Sequence, residues 1–522
     1  MRKLCRFLFS RYFVSSLVIL LDISLLIYLV VYASRYSVYA LLSVIIINFI
    51  TIFSLVNRDA NPEYKVSWLV VMMLLPILGI VLYLMFYSRR LTKKQSETMR
   101  SIYSALDSFD EKNDAENQVP SERHGTFSKL KAASAMHAGT ALSIFSDDAA
   151  ADVYGNTEAA YFSLGESMYE AMLRDMEKAE KYIFLEYFII EEGEMWDGIF
   201  KILKEKASLG VEVRLLYDDI GCMKTLPLHF DRQLSKLGIK CMRFSPVTPR
   251  ASVAHNNRDH RKILIIDGKV AYTGGINIAD EYINKKKRFG HWKDGGIRIS
   301  GDAVRGFLKL FLSSWDFNLG KVTEYGKYLS EKETADKGDG GFYIPFGSGP
   351  LPIYKRSVSK NVFLNVINQA SRYVYITTPY LIIDYDLTEA LRGAAKRGVD
   401  VRIITPGKAD KKNIKIMTKS SYSYLMESGV RIYEYLPGFI HEKILVSDDL
   451  TAVIGTINFD YRSLVHHFEN AVWIYSSPVV LTVKEEFLKT VSVSGEIEEG
   501  ESMLTLRERL VRNIMRIFAP LL

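Results

Sequence analysis

Two stretches of this chain carry the same polar residues at the same spacing: HRKILIIDGKVAYTGGIN, from His260 to Asn277, and HEKILVSDDLTAVIGTIN, from His441 to Asn458. His, Lys, Asp, Gly and Asn fall in register at one constant offset. An imidazole is a nucleophile or a general acid near neutral pH, and an ammonium is a fixed positive charge for an anionic oxygen. One His and one Lys from each copy, brought together across a pseudo-twofold axis, suit displacement at a phosphodiester phosphorus. One imidazole attacks and the other protonates the leaving oxygen, while Lys262, Lys443 and the side chains of Asn277 and Asn458 stabilise the equatorial oxygens. The scheme requires no metal and no cofactor. A lone His-x-Lys on a strand is usually an ordinary polar pair, but two copies inside a long internal repeat make coincidence a poor account. The catalytic set read from the repeat is His260, Lys262, Asp267, His441, Lys443 and Asp448. For Asp267 and Asp448 a second role stands beside the catalytic one, because a carboxylate at a strand end also serves a turn or a contact between halves.

The elements around these residues repeat as well. AEKYIFLEYFII (179–190) and MWDGIFKILKEKASLGVEVRLLYDD (195–219) read as strand, helix, strand before the first motif strand. ASRYVYITTPYLII (370–383) and LTEALRGAAKRGVDVRIITPG (387–407) replay that order before the second. Lys follows His by two residues, so on a strand both point to one face while the apolar residues beyond fill the core. Apolar runs of strand length between helices that stop at Gly210 and Gly398 predict an α/β fold with largely buried strands. The expected architecture is two similar α/β halves, 126–330 and 331–522, forming one pseudo-twofold catalytic unit. The polar stretch 321–341 connects them.

The N-terminal part belongs to another class. The runs 13–33, 38–56 and 67–87 are each about long enough to cross a ~30 Å hydrocarbon core as helices, so residues 1–88 read as a membrane anchor with two to three spans. A cleaved leader is a poor account, because the first run is long and two more follow it. Asp22 within that run is costly in lipid unless it faces another helix. Basic residues flank both ends, Arg2, Lys3, Arg6 and Arg11 before, and Arg89, Arg90, Lys93, Lys94 and Arg100 after. Both clusters favour the cytoplasmic side, which three full spans do not allow, and the larger second cluster favours a cytoplasmic catalytic part. Residues 89–125 read as a polar linker, helical or flexible.

The composition agrees with this division. The chain has 522 residues, a net charge of +7 and three cysteines, Cys5, Cys222 and Cys241, too few and too scattered for a disulfide framework or a zinc site. The basic balance suggests an anionic partner, phospholipid or nucleic acid. The run Lys285, Lys286, Lys287 and Arg288 reads as a solvated loop or a headgroup contact. The last stretch, 506–522, has apolar residues at helical spacing with arginines between them, the pattern of an amphipathic helix.

The twin His-x-Lys-x4-Asp motifs with trailing Gly-x-x-Asn resemble the phospholipase D superfamily, and within it the bacterial cardiolipin synthases. The likeness extends to NPEYKVSWLVVMMLLPILGIVLYLMF, GVEVRLLYDDIG, ITTPYLI and NFDYRSLVHHFEN, and covers nearly all of 61–522. It implies a covalent phosphohistidine, with His260 as nucleophile by analogy and His441 as acid and base. It also implies that Glu469 orients an active-site His, and Asp294 in HWKDGG is the candidate for the equivalent role in the first half. The residue before Ile-Asn is Gly275 in one copy and Thr456 in the other, where many members carry Ser. The implied reaction transfers a phosphatidyl group between two phosphatidylglycerol molecules, giving cardiolipin and glycerol in a bacterial cell membrane. The substrates are then membrane phospholipids, with no nucleic acid expected and protein partners unknown. The alternatives are a membrane-anchored phospholipase D-type hydrolase or nuclease, and a non-catalytic lipid-binding module. A module of that last kind is expected to have lost a His or Lys from one copy, and both copies are intact.

Overall fold

The computed structural model describes residues 24, 28, 37–58, 61–86, 93–116, 122–148, 150–246, 257–329, 338–350, 354, 357–498 and 505–521. Cys5, Asp22, the basic cluster from Arg2 to Arg11, Arg89, Arg90 and most of the run 13–33 lie outside them. The chain divides into two compact units, one of Met1–Arg89, Arg250–Val253 and Asn513–Leu522, the other of Arg90–Pro249 and Ala254–Arg512.

In the first unit the apolar runs become helices α1 (Ser37–Val56), α2 (Pro62–Leu74) and α3 (Pro76–Phe86). The run 67–87, expected as one span, is broken. Leu75 leaves helical geometry at φ −132° and ψ 78°, and Pro76 starts a new helix that it could not have continued without an N–H. The two helices fold back on each other: Trp68 meets Tyr83 edge to face at 5.5 Å, and a Cβ at Gly79 would lie 2.7 Å from the Met72 backbone. Only glycine permits that approach. Among the described residues no helix is long and apolar enough to cross a membrane. α1 nonetheless turns Leu42, Ile45, Ile46, Phe49, Ile50 and Phe53 outward.

The second unit begins with α4 (Lys93–Glu116), within the segment read as a linker, which buries Met99, Ile102 and Leu106 in the main core. Its polar residues hid this apolar edge, spaced by three and four residues.

The strands of the first half are β1 (Thr157–Phe162), β2 (Tyr182–Tyr187), β3 (Glu212–Asp218), β4 (Lys240–Phe244), β5 (Lys262–Ile266), β6 (Val270–Gly274), β7 (His291–Lys293) and β8 (Gly296–Gly301). Those of the second half are β9 (Phe342–Ser348), β10 (Tyr373–Thr377), β11 (Leu381–Ile382), β12 (Asp400–Pro406), β13 (Arg431–Tyr435) and β14 (Gly438–Ile440). They continue as β15 (Ile444–Ser447), β16 (Thr451–Gly455), β17 (Phe459–Asp460), β18 (Glu469–Tyr475) and β19 (Ser494–Glu496). The first sheet runs β1-β8-β6-β5-β2-β3-β4 and the second β9-β18-β16-β15-β10-β12-β13, with β19 added at its edge. The two orders match strand for strand, so the sequence repeat is a repeat of the fold.

Each half has its first parallel crossover at the same place. α5 (Glu194–Ser208) joins β2 to β3, and α7 (Tyr385–Lys396) joins β10 to β12. Both end as expected, at Gly210 with φ +88° and Gly398 with φ +89°, left-handed positions that favour glycine. Between them in sequence, α6 (Val304–Leu319) is buried along most of its length. Its Phe311 stacks on Phe184 at 4.8 Å in a core that also takes in Ile344, Val472 and Trp473 of the second half. Burying such side chains contributes roughly 1.5–3 kcal/mol apiece, enough to weld the halves into one body. The terminal run forms α8 (Leu506–Phe518), which leaves Leu506, Leu510 and Ile514 exposed along one side.

Two short backbone pairings join the halves and decide what meets at the site. β7 pairs in parallel with β14, and His441 N–H donates to the Lys293 carbonyl at 2.7 Å. Asp259 bridges Phe468, and His260 N–H donates to the Phe468 carbonyl at 2.8 Å. Each histidine is thus delivered beside the residue that precedes a carboxylate of the opposite half.

Candidate active site

That pairing builds two crossed dyads. His260 Nδ1 lies 2.9 Å from Glu469 Oε2, and His441 Nδ1 lies 2.6 Å from Asp294 Oδ2. Both carboxylates are fully buried, and neither half holds a complete pair by itself. A carboxylate accepting from Nδ1–H keeps the ring in one tautomer and leaves Nε2 as the reactive nitrogen. Glu469 and Asp294 are thus the carboxylates that the two motif histidines meet.

The lysines sit at the start of the motif strands, buried with the histidines. Lys262 Nζ donates to the His260 carbonyl at 2.7 Å. Lys443 Nζ donates to the His441 carbonyl and lies 2.8 Å from His441 Nδ1. Burial pushes Lys262 down to about 8 and Lys443 down to about 7, against the pull of Glu469 and Asp294. Burial also raises the Asp294 carboxyl to about 7, against the opposing charges of Lys443 and Lys262. Both imidazoles are held well below their ordinary range, first by burial and then by the lysine charges of both halves. The site is an enclosed cluster of two imidazoles, two ammonium groups and two carboxylates, and its ammonium groups suit the oxygens of a phosphodiester.

The position before Ile-Asn explains itself here. Thr456 Oγ1 donates to Glu469 Oε2 and steadies that carboxylate. At Gly275 a Cβ would lie 2.1 Å from Asp294 Oδ1 and 2.8 Å from the His441 carbonyl, so the first half has no room for the matching hydroxyl.

The asparagines serve the walls. Asn277 Oδ1 accepts from Ile189 N–H at 3.1 Å and its Nδ2 donates to Tyr282 Oη at 2.6 Å. Asn458 Nδ2 donates to Ser463 Oγ at 3.1 Å, while its buried Oδ1 meets no hydrogen-bond partner among the described residues.

Asp267 and Asp448 are not in the site. Each lies five residues past its lysine, roughly 16 Å along a strand, at the far end. Asp267 accepts backbone N–H groups of Glu180, Lys181 and Tyr182 at 2.7–2.8 Å. Asp448 does the same for Ser371, Arg372 and Tyr373. The catalytic assignment of these two is corrected: the carboxylates tie the start of β2 and β10 to the motif hairpins. We expect Asp267→Ala to lower stability by about 2 kcal/mol by leaving three backbone donors, that of Tyr182 buried, without their acceptor, with kcat per folded molecule unchanged. Denaturant unfolding beside turnover of the folded fraction checks this, and a loss of kcat at full folding would restore a catalytic role.

Several lining residues carried no motif signal. Phe188 stands 4.9 Å from the His260 ring and under the Lys262 ammonium at 5.6 Å. Trp292 and Tyr282 flank His441 at 5.4 and 5.7 Å. His467 lies 5.4 Å from His260, where a π-turn, Arg462–His466, ends. The His-His doublet beside Glu469 was the one visible cue to it, and π-turns gather at functional sites. The basic run is spoken for in part, with Lys285 on Glu194 at 2.9 Å and Lys286 on Glu191 at 2.7 Å.

Comparison with known proteins bears on this geometry. The family model described as "Cardiolipin synthase, PLD-like domain" matches 172–287 and 363–491, the two halves, and one described as "Phospholipase_D-nuclease N-terminal" matches 46–86. A cardiolipin synthase of Geobacillus sp. is 34% identical over 485 residues, covering 92% of each chain. One of Alkalihalophilus pseudofirmus is 34% identical over 498 residues, covering 93% of each. The solved phosphatidylserine synthase of Haemophilus influenzae shares the fold, with a TM-score of 0.55 over 70% of this chain and 93% of that one at 15% identity. With the paired motifs in two matching halves and cardiolipin synthases similar along more than nine tenths of its length, this chain belongs to the cardiolipin synthase family of phosphatidyltransferases in the phospholipase D superfamily.

Proposed function

We propose that the protein joins two phosphatidylglycerol molecules into cardiolipin, releasing glycerol. His260 Nε2 attacks the phosphorus of the first lipid and the bond from phosphorus to the glycerol headgroup oxygen breaks. His441 gives that oxygen its proton. The phosphatidyl group is then held on His260, and a hydroxyl of the second lipid's headgroup passes its proton to His441 as it attacks phosphorus. The P–N bond breaks and cardiolipin leaves, with both imidazoles restored. Lys262 and Lys443 neutralise the phosphoryl oxygens throughout. The observation that carries this reading is the pair of crossed His–carboxylate dyads around two buried lysines. Each dyad uses one half's histidine and the other's carboxylate, which suits one imidazole on either side of a single phosphorus.

The N-terminal unit supports a membrane-anchored enzyme. The apolar side chains that α1 turns outward, Leu42, Ile45, Ile46, Phe49, Ile50 and Phe53, suit lipid surroundings. Anchoring keeps the site at its substrate and favours a lipid hydroxyl over water as acceptor. A hydrolase would use the same residues, and the product tells them apart. The purified protein in phosphatidylglycerol micelles is expected to yield cardiolipin and glycerol. Phosphatidic acid as the main product would make it a hydrolase, and no lipid turnover would remove the reading.

The depressed lysines set a pH limit. Phosphate binding needs their protons, and raising the pH removes them, Lys443 from about 7 and Lys262 from about 8 in the empty site. We expect kcat/KM, which reports the free enzyme, to fall already as the pH rises toward neutrality, since His441 must carry a proton to act as acid and its imidazole is held well below the ordinary range, and to fall further as the lysines lose theirs. The limb of kcat lies higher, because bound phosphate holds the protons on. A kcat/KM that stays level to the ordinary lysine range would contradict this.

A further inference from the structure

We propose that His260, His467 and Glu469 form a site for a divalent transition-metal ion of the zinc class, and that a bound ion switches transfer off. The ligand atoms of the three residues all lie within 4.8 Å of one another, and all three side chains are buried. His467 is 8% exposed, and neither of its ring nitrogens meets a hydrogen-bond partner among the described residues. Glu469 Oε1 is equally unmet, with His467 Nδ1 standing 3.7 Å away, too far for a hydrogen bond. Buried polar atoms are almost always satisfied, so unmet nitrogens and an unmet carboxylate oxygen around one small volume point to an absent electrophile.

The donor set selects the ion. Two imidazoles and a carboxylate suit zinc and its borderline neighbours, leaving a fourth position open, whereas magnesium and calcium take oxygen. Zinc bonds of about 2.0–2.1 Å put ligand atoms roughly 3.4 Å apart, so the trio closes by at most about 1.4 Å on the ion. The ammonium groups of Lys262 and Lys443 oppose a cation here, which favours an ion bound through strong nitrogen bonds over a hard, weakly held one.

Inhibition follows from the shared histidine. An ion on His260 Nε2 takes the attacking lone pair. An ion on Nδ1 displaces the hydrogen bond from Glu469 and withdraws charge from the ring. The inhibitory consequence rests on His260 being the reacting histidine, while binding itself does not.

Zinc chloride titrated into the full-length protein in detergent tests both parts, with heat of binding and phosphatidylglycerol transfer read side by side. One zinc per chain is expected, with transfer lost in proportion and recovered on chelation, and magnesium without effect. H467N or H467Q is expected to raise both the dissociation constant and the inhibiting concentration by more than about 100-fold, above what loss of a residue behind a ligand costs. H441A, although inactive, is expected to bind zinc as the native protein does, which keeps the test independent of catalysis and of how the His467 variants fold. Absence of stoichiometric binding by the native protein would overturn the site. Equal binding and inhibition in a folded His467 variant would do the same, by placing the ion elsewhere or on the lipid.

Discussion

His260→Ala is expected to abolish cardiolipin formation, and His441→Ala to reduce it by about 10²–10⁴-fold in turnover. The two losses have different causes, and a change of leaving group separates them. Glycerol is a poor leaving group, so breaking its bond to phosphorus needs a proton from the imidazole opposite the attack. A p-nitrophenyl phosphodiester needs none. With that substrate His441→Ala is expected to release a burst of about one nitrophenolate per chain while a phosphohistidine accumulates, and His260→Ala to release none. The same experiment decides which histidine attacks, since the reverse pattern would exchange the roles of His260 and His441. The near symmetry of the dyads, 2.9 Å on one side and 2.6 Å on the other, makes that assignment worth measuring directly.

Glu469→Gln and Asp294→Asn are expected to cost about 10²–10⁴-fold in kcat with little change in KM, although neither residue touches the phosphate. An amide in place of the carboxylate no longer stabilises the imidazolium, and its NH2 group turned to Nδ1 inverts the tautomer. Both substitutions are nearly isosteric in fully buried positions, so melting temperature should move little beside the loss of activity. Thr456→Val, which removes only the hydroxyl donated to Glu469, is expected to cost about tenfold or less. Losses in proportion to unfolding instead would reduce both carboxylates to packing groups.

Much of this is legible in the sequence. The motif repeat exposed the histidines and lysines, since chemistry needs particular atoms and a strand keeps residues two apart on one face. The flanking strand and helix patterns exposed the two halves, because buried parallel strands read as apolar runs and helices stop at glycine. Other readings went astray where local pattern had two meanings. Asp267 repeats as faithfully as His260, yet it repeats for a structural reason: both motif hairpins must be tied to the strand beside them. The run 67–87 has the composition of a single span, but Leu75 and Pro76 break it into a hairpin.

What the sequence by itself determined is the chemistry available: two imidazoles, two ammonium groups, their spacing and their duplication. Only the tertiary structure decided which groups meet. His260 pairs with Glu469 and His441 with Asp294 across separations of 209 and 147 residues, through β7 on β14 and Asp259 beside Phe468. Such pairings depend on backbone hydrogen bonds between distant segments, which carry no side-chain signature. His467 shows the same limit, because its place beside Glu469 and the His260 ring exists only once the chain has folded.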